Sequence, residues 1–502
     1  MPPFLSSLRT TLRTAATAAG VLLAATGGRA QPGADERRDD RQADVELRRR
    51  LEPLVPSVRA ALEGNNRDAQ KAALAVAADF PPALSINARL PGVVAAFLLR
   101  DGTDPELAAM GLRAYGRMVP DAPELARVAG RYAKAESADV RRAAAEALAT
   151  AIQNAAPALN SLADARYFVD VAAAAVPLLN DALGDRDERV QRAALDGVQA
   201  AARVVAELYA NNAGPLGDAT RPKEGTSRFE PLRPVLRALG ASIAQLAKPL
   251  AAREPATRLA AARTLESIAL TRHTVLNTRP RGEPVPADPF PDAWPSVRPA
   301  LAERVKDPDA QVRLAAVQAM ESLGDGLDTR DLLRQATTDR VVFVRWAAAR
   351  SLGRSAPARP DAAAVADDVA ALGRLSSDPD PDVRTAALTA LARFGPAAGS
   401  AAPVVLTAAG RGDVEPRVAA VNALGALQTD ADRTIPVLIA ALKHPDLRLR
   451  RVAAAGLVRF GPGAKAALPE LRQAVVSDDQ DLRLAAAEAI LAIERVPRIK
   501  EL

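Results

Sequence analysis

Residues 383–391, Val-Arg-Thr-Ala-Ala-Leu-Thr-Ala-Leu, contain the phrase that decides the fold of this chain. The pattern Val-Arg-x-Ala-Ala returns with small changes along most of the 502 residues. Most intervals between its clearest arginines are 32 or 33 residues, and these arginines are Arg313, Arg345, Arg384, Arg417, Arg450 and Arg483. A fixed period of this length is typical of stacked helix pairs rather than of a closed globule.

A proline forms a second marker in the same register, fourteen residues before the arginine position of several repeats. These prolines are Pro56, Pro177, Pro299, Pro403, Pro436 and Pro469. Because proline fits the first turn of a helix, each is predicted to open the first helix of a pair. An aspartate-rich turn such as residues 378–382 follows, then the Val-Arg helix, then a glycine stop such as Gly395. The paired alanines, as at Ala386 and Ala387, are predicted to face a neighbouring helix.

These motifs resemble those of HEAT and HEAT-like helical repeats, a group that includes the repeats of phycobilin lyases. The resemblance covers roughly residues 50–495. It is strongest over residues 297–495, where Leu-Pro-x-Leu, Asp-Pro-x-x-x-Val-Arg-x-Ala-Ala and Phe-Gly-Pro keep their spacing. It implies an all-α fold, a right-handed α-solenoid of stacked antiparallel helix pairs, with about eleven units within residues 44–496.

The resemblance also implies a ladder of hydrogen bonds between successive repeats, made by a turn aspartate and the arginine six residues later. The matching residues are Asp307, Arg313, Asp339, Arg345, Asp378 and Arg384. His444 and Ser477 stand where the aspartate would precede Arg450 and Arg483, so an interruption is expected near the carboxyl end. Exposed ion pairs contribute only about 0.2–1 kcal/mol each, so the ladder is interpreted as setting the register.

Residues 1–30 have the pattern of a secretory signal. Arg9 and Arg13 precede an uncharged stretch at residues 14–28, and small Gly28 and Ala30 come before Gln31. The stretch is short for a membrane span, so we expect cleavage, no membrane span afterwards and a periplasmic or secreted protein. A retained amino-terminal anchor is the alternative. Residues 31–43 are polar and charged, and are predicted to be a disordered lead-in.

Two inserts, near residues 210–233 and 275–298, break the period. Both follow a second helix and should emerge on the same edge of the stack. One interpretation is tolerated loop growth. The other is a pair of loops that contacts a ligand, with Phe290 and Trp294 as anchors in a chain that is only 3% aromatic. Trp346 directly follows a marker arginine, and it either packs between repeats or is a third candidate partner-binding residue.

Few residues of the chain point to chemistry. It has no cysteine, its two histidines are His273 and His444, and it lacks the glycine-rich phosphate and dinucleotide motifs. No catalytic, cofactor or metal site is therefore predicted. The net charge is +6, and it falls to +3 without residues 1–30, which is too balanced to indicate a nucleic-acid partner.

The predicted function is that of an exported, non-enzymatic HEAT-repeat scaffold, because long stacks provide extended binding surfaces. Its partner is expected to be a protein, whose identity the residues do not give. Two alternatives stay open. One is a bilin lyase-like or other HEAT-like enzyme, which the repeat subclass implies, and the other is a nucleic-acid-binding HEAT-like protein.

Overall fold

The computed structural model describes residues 52–80, 89–118, 120–156, 162, 165–212, 227–278, 286–323, 329–357 and 360–494. Within these ranges the regular secondary structure is helical and no strand occurs. The predicted signal peptide (1–30) and lead-in (31–43) lie outside the described residues. The chain divides into two compact units, unit 1 (Met1–Val297) and unit 2 (Arg298–Leu502), each with its own contacts.

Unit 1 contains five helix pairs, counted over its described residues. In chain order the helices are α1 (Val55–Glu63), α2 (Arg67–Ala78), α3 (Leu90–Leu98), α4 (Pro105–Arg117), α5 (Ala122–Tyr132), α6 (Ala138–Asn154), α7 (Arg166–Leu183), α8 (Glu188–Asn211), α9 (Arg233–Gln245), the short α10 (Ala247–Leu250) and α11 (Pro255–Asn277). Helices α9 and α10 together occupy the first-helix position of the fifth pair. The long second helices α6, α8 and α11 pack against one another in succession.

Unit 2 contains six pairs among its described residues. They are formed by α12 (Arg298–Arg304), α13 (Ala310–Leu323), α14 (Arg330–Ala336), α15 (Val342–Arg354), α16 (Ala366–Leu375), α17 (Pro381–Phe394), α18 (Ala402–Gly410), α19 (Val414–Leu427), α20 (Ala431–Leu442), α21 (Leu447–Val458), α22 (Leu468–Ala474) and α23 (Gln480–Glu494). Each second helix packs against the second helix of the following pair. The prediction of an all-α solenoid with about eleven units is confirmed.

Small residues lie where neighbouring second helices approach most closely. A Cβ atom built on Gly425 of α19 would lie 2.6 Å from the Cα atom of Gly456 of α21. A Cβ atom on Gly353 of α15 would lie 2.8 Å from the Cα atom of Ala390 of α17. The abundance of alanine and glycine in the repeats therefore allows the backbones of successive second helices to come into contact.

The two alanines of the repeat phrase do not always share the same environment. Ala315 and Ala316 of α13 are both buried, but in α17 only Ala387 is buried and Ala386 is half-buried on a groove. Consecutive residues of a helix point about 100° apart, and Ala386 lines the groove between α15 and α17 instead of being covered by α15. The prediction that Ala386 packs closely against a neighbouring helix was therefore wrong.

The proline marker has two outcomes. Pro56, Pro299, Pro403 and Pro469 stand in the first turn of their helices, as predicted. Pro177 and Pro436 lie inside α7 and α20, because those helices begin earlier than the marker indicates. In α7 the extra turns bury Phe168, and in α20 they bury Thr434, whose hydroxyl donates to the Thr429 carbonyl at 3.0 Å. Burial of the Phe168 ring and the Thr434 hydrogen bond both act against the loss of the backbone hydrogen bond that an internal proline removes.

Candidate functional site

The marker arginines of unit 2 join the turn of their own repeat to the turn of the next one. Arg313 donates from Nε and Nη2 to the Asp339 carboxylate at 2.6 and 3.0 Å, and from Nη1 to the Asp307 carbonyl at 2.8 Å. Arg345 donates in the same way to Asp378, at 2.7 and 2.9 Å, and to the Asp339 carbonyl at 2.9 Å. Each arginine thus bonds to the backbone of one turn and the side chain of the following turn.

The ladder weakens toward the carboxyl end. Arg384 donates to the Asp378 carbonyl at 2.8 Å and reaches the Asp413 carboxylate through Nη2 alone. The next position pairs Arg417 Nη1 with the imidazole Nε2 of His444, at 3.3 Å. The Nε atom of Arg450 is buried and has no hydrogen-bond partner in the described part of the chain.

A further ladder contact lies in unit 1, between Arg141 and Asp185. Arg141 Nε and Nη2 donate to the two carboxylate oxygens at 2.7 and 3.0 Å, and Nη1 donates to the Ala135 carbonyl at 2.8 Å. The sequence carried a signal for it, because Asp185 precedes Gln191 by six residues. The partners are 44 residues apart, which is more than one repeat period, so the regular spacing did not predict this pair.

Burial distinguishes the ladder from ordinary surface ion pairs. The side chains of Arg313 and Asp339 are only 6% and 9% exposed, whereas those of Arg384 and Asp413 are 22% and 64% exposed. Burial alone would raise the pKa of Asp339, but hydrogen bonds from Arg313 and from the Val341 amide outweigh it and hold this pKa below its ordinary 3.8. Treating these pairs as exposed was therefore wrong for Arg313–Asp339. Because its buried guanidinium donates to protein acceptors from all three nitrogen atoms, Arg313 is not available to a phosphate backbone.

Phe290 and Trp294 are core residues of unit 1. They are 2% and 1% exposed, and their rings form an edge contact with centroids 5.9 Å apart. Phe290 lies over Gly240 of α9, where an added Cβ atom would come within 3.1 Å of the ring. Asp288 fixes the segment just before Phe290 against α11. Its carboxylate accepts from the Phe290 amide at 2.9 Å and forms an ion pair with Arg272 at 2.7 Å. The hypothesis that these two aromatic residues anchor a partner is therefore wrong.

The first insert ends in a similar way. Phe229 is 3% exposed and stacks on Tyr209 of α8, with ring centroids 4.0 Å apart. Residues 213–226 and 279–285, which form the middle of the two inserts, lie outside the described residues. The described end of each insert thus returns to the core of unit 1 through a buried aromatic ring.

Trp346 lies on an open surface of unit 2, which we call the Trp346 face. It consists of Phe343, Trp346, Arg350 and Arg354 of α15, together with Arg393 of α17. Phe343 is 67% exposed, Trp346 is half-buried, and the Arg350 guanidinium carbon lies 4.7 Å from the centre of the indole ring. Between α15 and α17 runs a groove of about 290 Å³, also lined by Asp382, Thr385, Ala386 and Thr389.

The charges of the Trp346 face are unevenly matched. Glu321 of α13 is 5% exposed, and its carboxylate accepts from Arg350 at 3.1 Å and from Arg354 at 2.7 Å. The Ser351 hydroxyl also donates to Glu321, at 2.9 Å, which fixes this carboxylate beneath the two arginines. In the part of the chain that the structure describes, the guanidinium of Arg393 makes no hydrogen bond or ion pair. The face therefore presents cations whose charge Glu321 only partly neutralises.

Unit 1 has a cleft of a different character between α6 and α8. Its volume is about 340 Å³, and its polar lining comprises Gln153, Asp196, Gln199, Arg203 and Glu207. Burial raises the pKa of Asp196 above its ordinary value. The Gln199 amide donates to the Ser267 hydroxyl at 3.3 Å. Acidic, basic and amide groups alternate here without an aromatic residue.

No metal-binding or membrane-spanning element stands out in the described ranges. Among those residues no three histidine or acidic side chains converge in the manner of a metal site, and no helix has the length and apolarity to cross a bilayer. His444 serves the turn before α21, where its Nδ1 accepts from the Asp446 amide at 3.0 Å.

One protein family and two solved structures are similar to this chain. A family model for HEAT repeats matches residues 297–373, 369–434 and 402–492. The crystal structure of an engineered protein is similar with a TM-score of 0.50 and 20% identity, over 88% of this chain and 98% of that chain. A crystal structure of a Kap121p mutant has a TM-score of 0.40 and 12% identity, over 98% of this chain and 53% of that one. No curated protein matches the sequence significantly. The HEAT-repeat model thus matches unit 2 over residues 297–492, and the similarity to the engineered protein supports a helical-repeat fold for the chain.

Proposed function

We propose that this chain is an exported, non-enzymatic scaffold that binds another protein through the Trp346 face. HEAT repeats favour an interaction scaffold, because stacked repeats offer extended surfaces. The observation that carries the proposal is the placement of Phe343 and Trp346 together on an open helix face.

The composition of the Trp346 face resembles the energetic centre of protein interfaces. Tryptophan, tyrosine and arginine dominate such centres, because large side chains there become fully desolvated. Covering an exposed phenylalanine such as Phe343 contributes about 1.5–3 kcal/mol. The stacking of Arg350 on Trp346 and its pairing with Glu321 hold both side chains in place before binding, which reduces the entropy lost on association.

The alternatives have less support. The enzyme alternative would rest on the α6–α8 cleft, whose lining holds the carboxylates of Asp196 and Glu207 but no hydroxyl, imidazole or amine that could act as a nucleophile. Nucleic-acid binding requires cations that track a phosphate backbone, whereas the ladder arginine Arg313 is engaged with protein acceptors. Both observations favour the scaffold.

Export rests on the amino-terminal sequence and has its own test. Edman or mass-spectrometric sequencing of the protein purified from its native cells should find a mature chain that begins near Gln31. A soluble protein that retains Met1 or Pro2 would contradict export and leave the binding proposal unaffected.

The binding proposal is tested by affinity capture from the native envelope fraction. The tagged full chain should recover a defined partner, and the double variant Phe343→Ser and Trp346→Ala should reduce its recovery at least about tenfold, as the loss of two interface anchors implies. Leu270→Ser is the matched control, since Leu270 is a 48% exposed apolar residue on α11 of unit 1. Equal recovery by all three proteins would exclude the Trp346 face, and the absence of any specific partner would contradict the scaffold function.

A further inference from the structure

We infer that the Trp346 face binds a short acidic peptide segment that carries one large apolar side chain beside its carboxylates. This inference rests on the proposed function and specifies the chemistry of the partner. It follows from the order of side chains on α15, from the charge of the face and from the limited extent of that charge.

The side chains on α15 form an ordered strip. Phe343, Trp346, Arg350 and Arg354 follow at spacings of three, four and four residues, which places them on one side of the helix. The Cα atoms of Trp346 and Arg354 are separated by about 12 Å along the axis, at 1.5 Å per residue. An extended peptide covers this length with about four residues. The apolar side chain of the partner would therefore lie at the aromatic end, with the carboxylates two to four residues away at the cationic end.

The charge of the face selects an acidic segment. Three guanidiniums, those of Arg350, Arg354 and Arg393, surround a groove with one lining carboxylate, Asp382. The buried Glu321 matches one of these charges and leaves the face positive. A guanidinium binds a carboxylate through two parallel hydrogen bonds, and Arg393 has this geometry available. A basic segment would meet repulsion at the same place.

The cations that line the groove lie on two neighbouring helices, and the next arginine at the same repeat position, Arg459, follows only after an interruption at Ala426, which favours a short peptide over a polyanion. Arg354 and Arg393 occupy the ninth position after their marker arginines, where the preceding and following repeats have Ser322 and Ala426. Arg350 occupies the fifth position, where the next two repeats have Thr389 and Asn422. A nucleic-acid strand would need a cationic track along several repeats, which these positions do not supply.

The test selects peptides without assuming their sequence. Phage-displayed random 12-residue peptides are selected on the full-length chain, and the affinities of the enriched peptides are then measured by fluorescence anisotropy. We expect enriched sequences to place Asp or Glu within four residues of an aromatic or large aliphatic residue. Arg393→Gln should weaken their binding about tenfold, the effect of one lost charge-assisted hydrogen bond. Replacing the peptide carboxylates by amides should weaken binding at least as much.

Arg459→Gln is the matched control for Arg393→Gln. Arg459 is exposed at the same repeat position two repeats further on and lies outside the Trp346 face, so its replacement should leave peptide affinity unchanged. Melting curves of both variants verify folding. The inference is overturned if selection yields basic or neutral peptides or none, or if Arg393→Gln binds the enriched peptides as tightly as the parent. It is also overturned if fluorescence anisotropy shows that a 20-nucleotide oligothymidylate binds the Trp346 face more tightly than the peptides do. Partner capture that still depends on Trp346 would, in each of these cases, leave the scaffold proposal standing.

Discussion

At the scale of single residues, the environment of each ion pair decides what the ladder contributes. Arg313 and Asp339 are almost fully buried and form two parallel hydrogen bonds. Arg384 and Asp413 form one contact, and the aspartate is 64% exposed. The same residue types in the same register therefore have unequal energetic roles, because removal of one buried partner leaves the other charge without compensation.

Removing the aspartate from each of these pairs should reveal the difference. Asp339→Ala leaves the buried Arg313 unpaired and should lower the free energy of unfolding by about 3 kcal/mol. Asp413→Ala affects an exposed pair and should lower it by about 1 kcal/mol or less. Urea unfolding followed by circular dichroism measures both effects. Equal losses in the two variants would show that burial does not control the ladder.

The depressed pKa of Asp339 predicts a dependence of stability on pH. Because the folded carboxyl has a pKa below the ordinary 3.8, the unfolded chain binds more protons as the solution is acidified. The contribution of Asp339 is therefore complete above about pH 5 and declines as the pH falls through 3.8 toward the folded pKa. Urea midpoints measured between pH 2 and 6 should decline less steeply for Asp339→Asn than for the parent chain. Identical profiles would refute this assignment.

The sequence predicted which turns carry a ladder residue, since aspartate and arginine recur six residues apart. It did not predict burial, because burial depends on how the next repeat covers the pair. The sequence also did not predict which aromatic residues are buried and which are exposed. Phe290 and Trp294 lie where the helical period is broken, and no pattern there separates a core residue from an exposed anchor. Trp346 lies within a regular helix, and the same repeat position holds Leu314 and Thr385 in the flanking repeats, a mixed set of residue types that is typical of a partly exposed site.

At the scale of helices, close backbone contact determines which substitutions the stack tolerates. Gly425 of α19 faces Gly456 of α21 at a distance that admits no side chain on either helix without movement. The register of second helices followed from the period. The starts of α7 and α20 did not, because burial of Phe168 and Thr434 extends these helices beyond the position that Pro177 and Pro436 indicate.

Gly425→Ala should test this helix contact. The added Cβ atom would lie 2.6 Å from the Gly456 Cα atom, so α19 and α21 must separate. We expect the free energy of unfolding to fall by about 1–3 kcal/mol, as for other overpacked contacts. Gly410→Ala is the control, since no atom lies within 4 Å of its added Cβ atom. If calorimetry gives the same melting temperature for both variants, the close approach of the helices is wrong.

The two alanines of α17 should respond differently to a charge. Ala387→Glu places a carboxylate in a fully buried position and should lower the melting temperature strongly. Ala386→Glu points into the groove beside Arg350 and Arg393, and should have a much smaller effect. Thermal unfolding by circular dichroism compares them directly. A larger loss for Ala386→Glu would reverse the assigned orientation of α17.

At the scale of the whole molecule, function is expected where a regular stack carries irregular residues. Unit 2 has the more regular repeats, and the HEAT family model matches it over residues 297–492. Against this regular background the Trp346 face combines two accessible aromatic residues with three arginines. The inserts of unit 1 interrupt the period, but their described aromatic residues complete the core. The broken period in unit 1 therefore indicated irregular local structure and not a binding site. The candidate binding surface, the Trp346 face, lies in the regular repeats of unit 2.

Site-specific photo-crosslinking in the native cells tests the central claim most directly. Benzoylphenylalanine replaces Phe343 on the Trp346 face, or Leu270 on unit 1 as a control of comparable exposure. Irradiation should yield a discrete crosslinked protein from position 343 and none from position 270, and adding Trp346→Ala should abolish the product. The absence of a product at position 343, or the same product at both positions, would contradict the claim that the Trp346 face binds a protein partner.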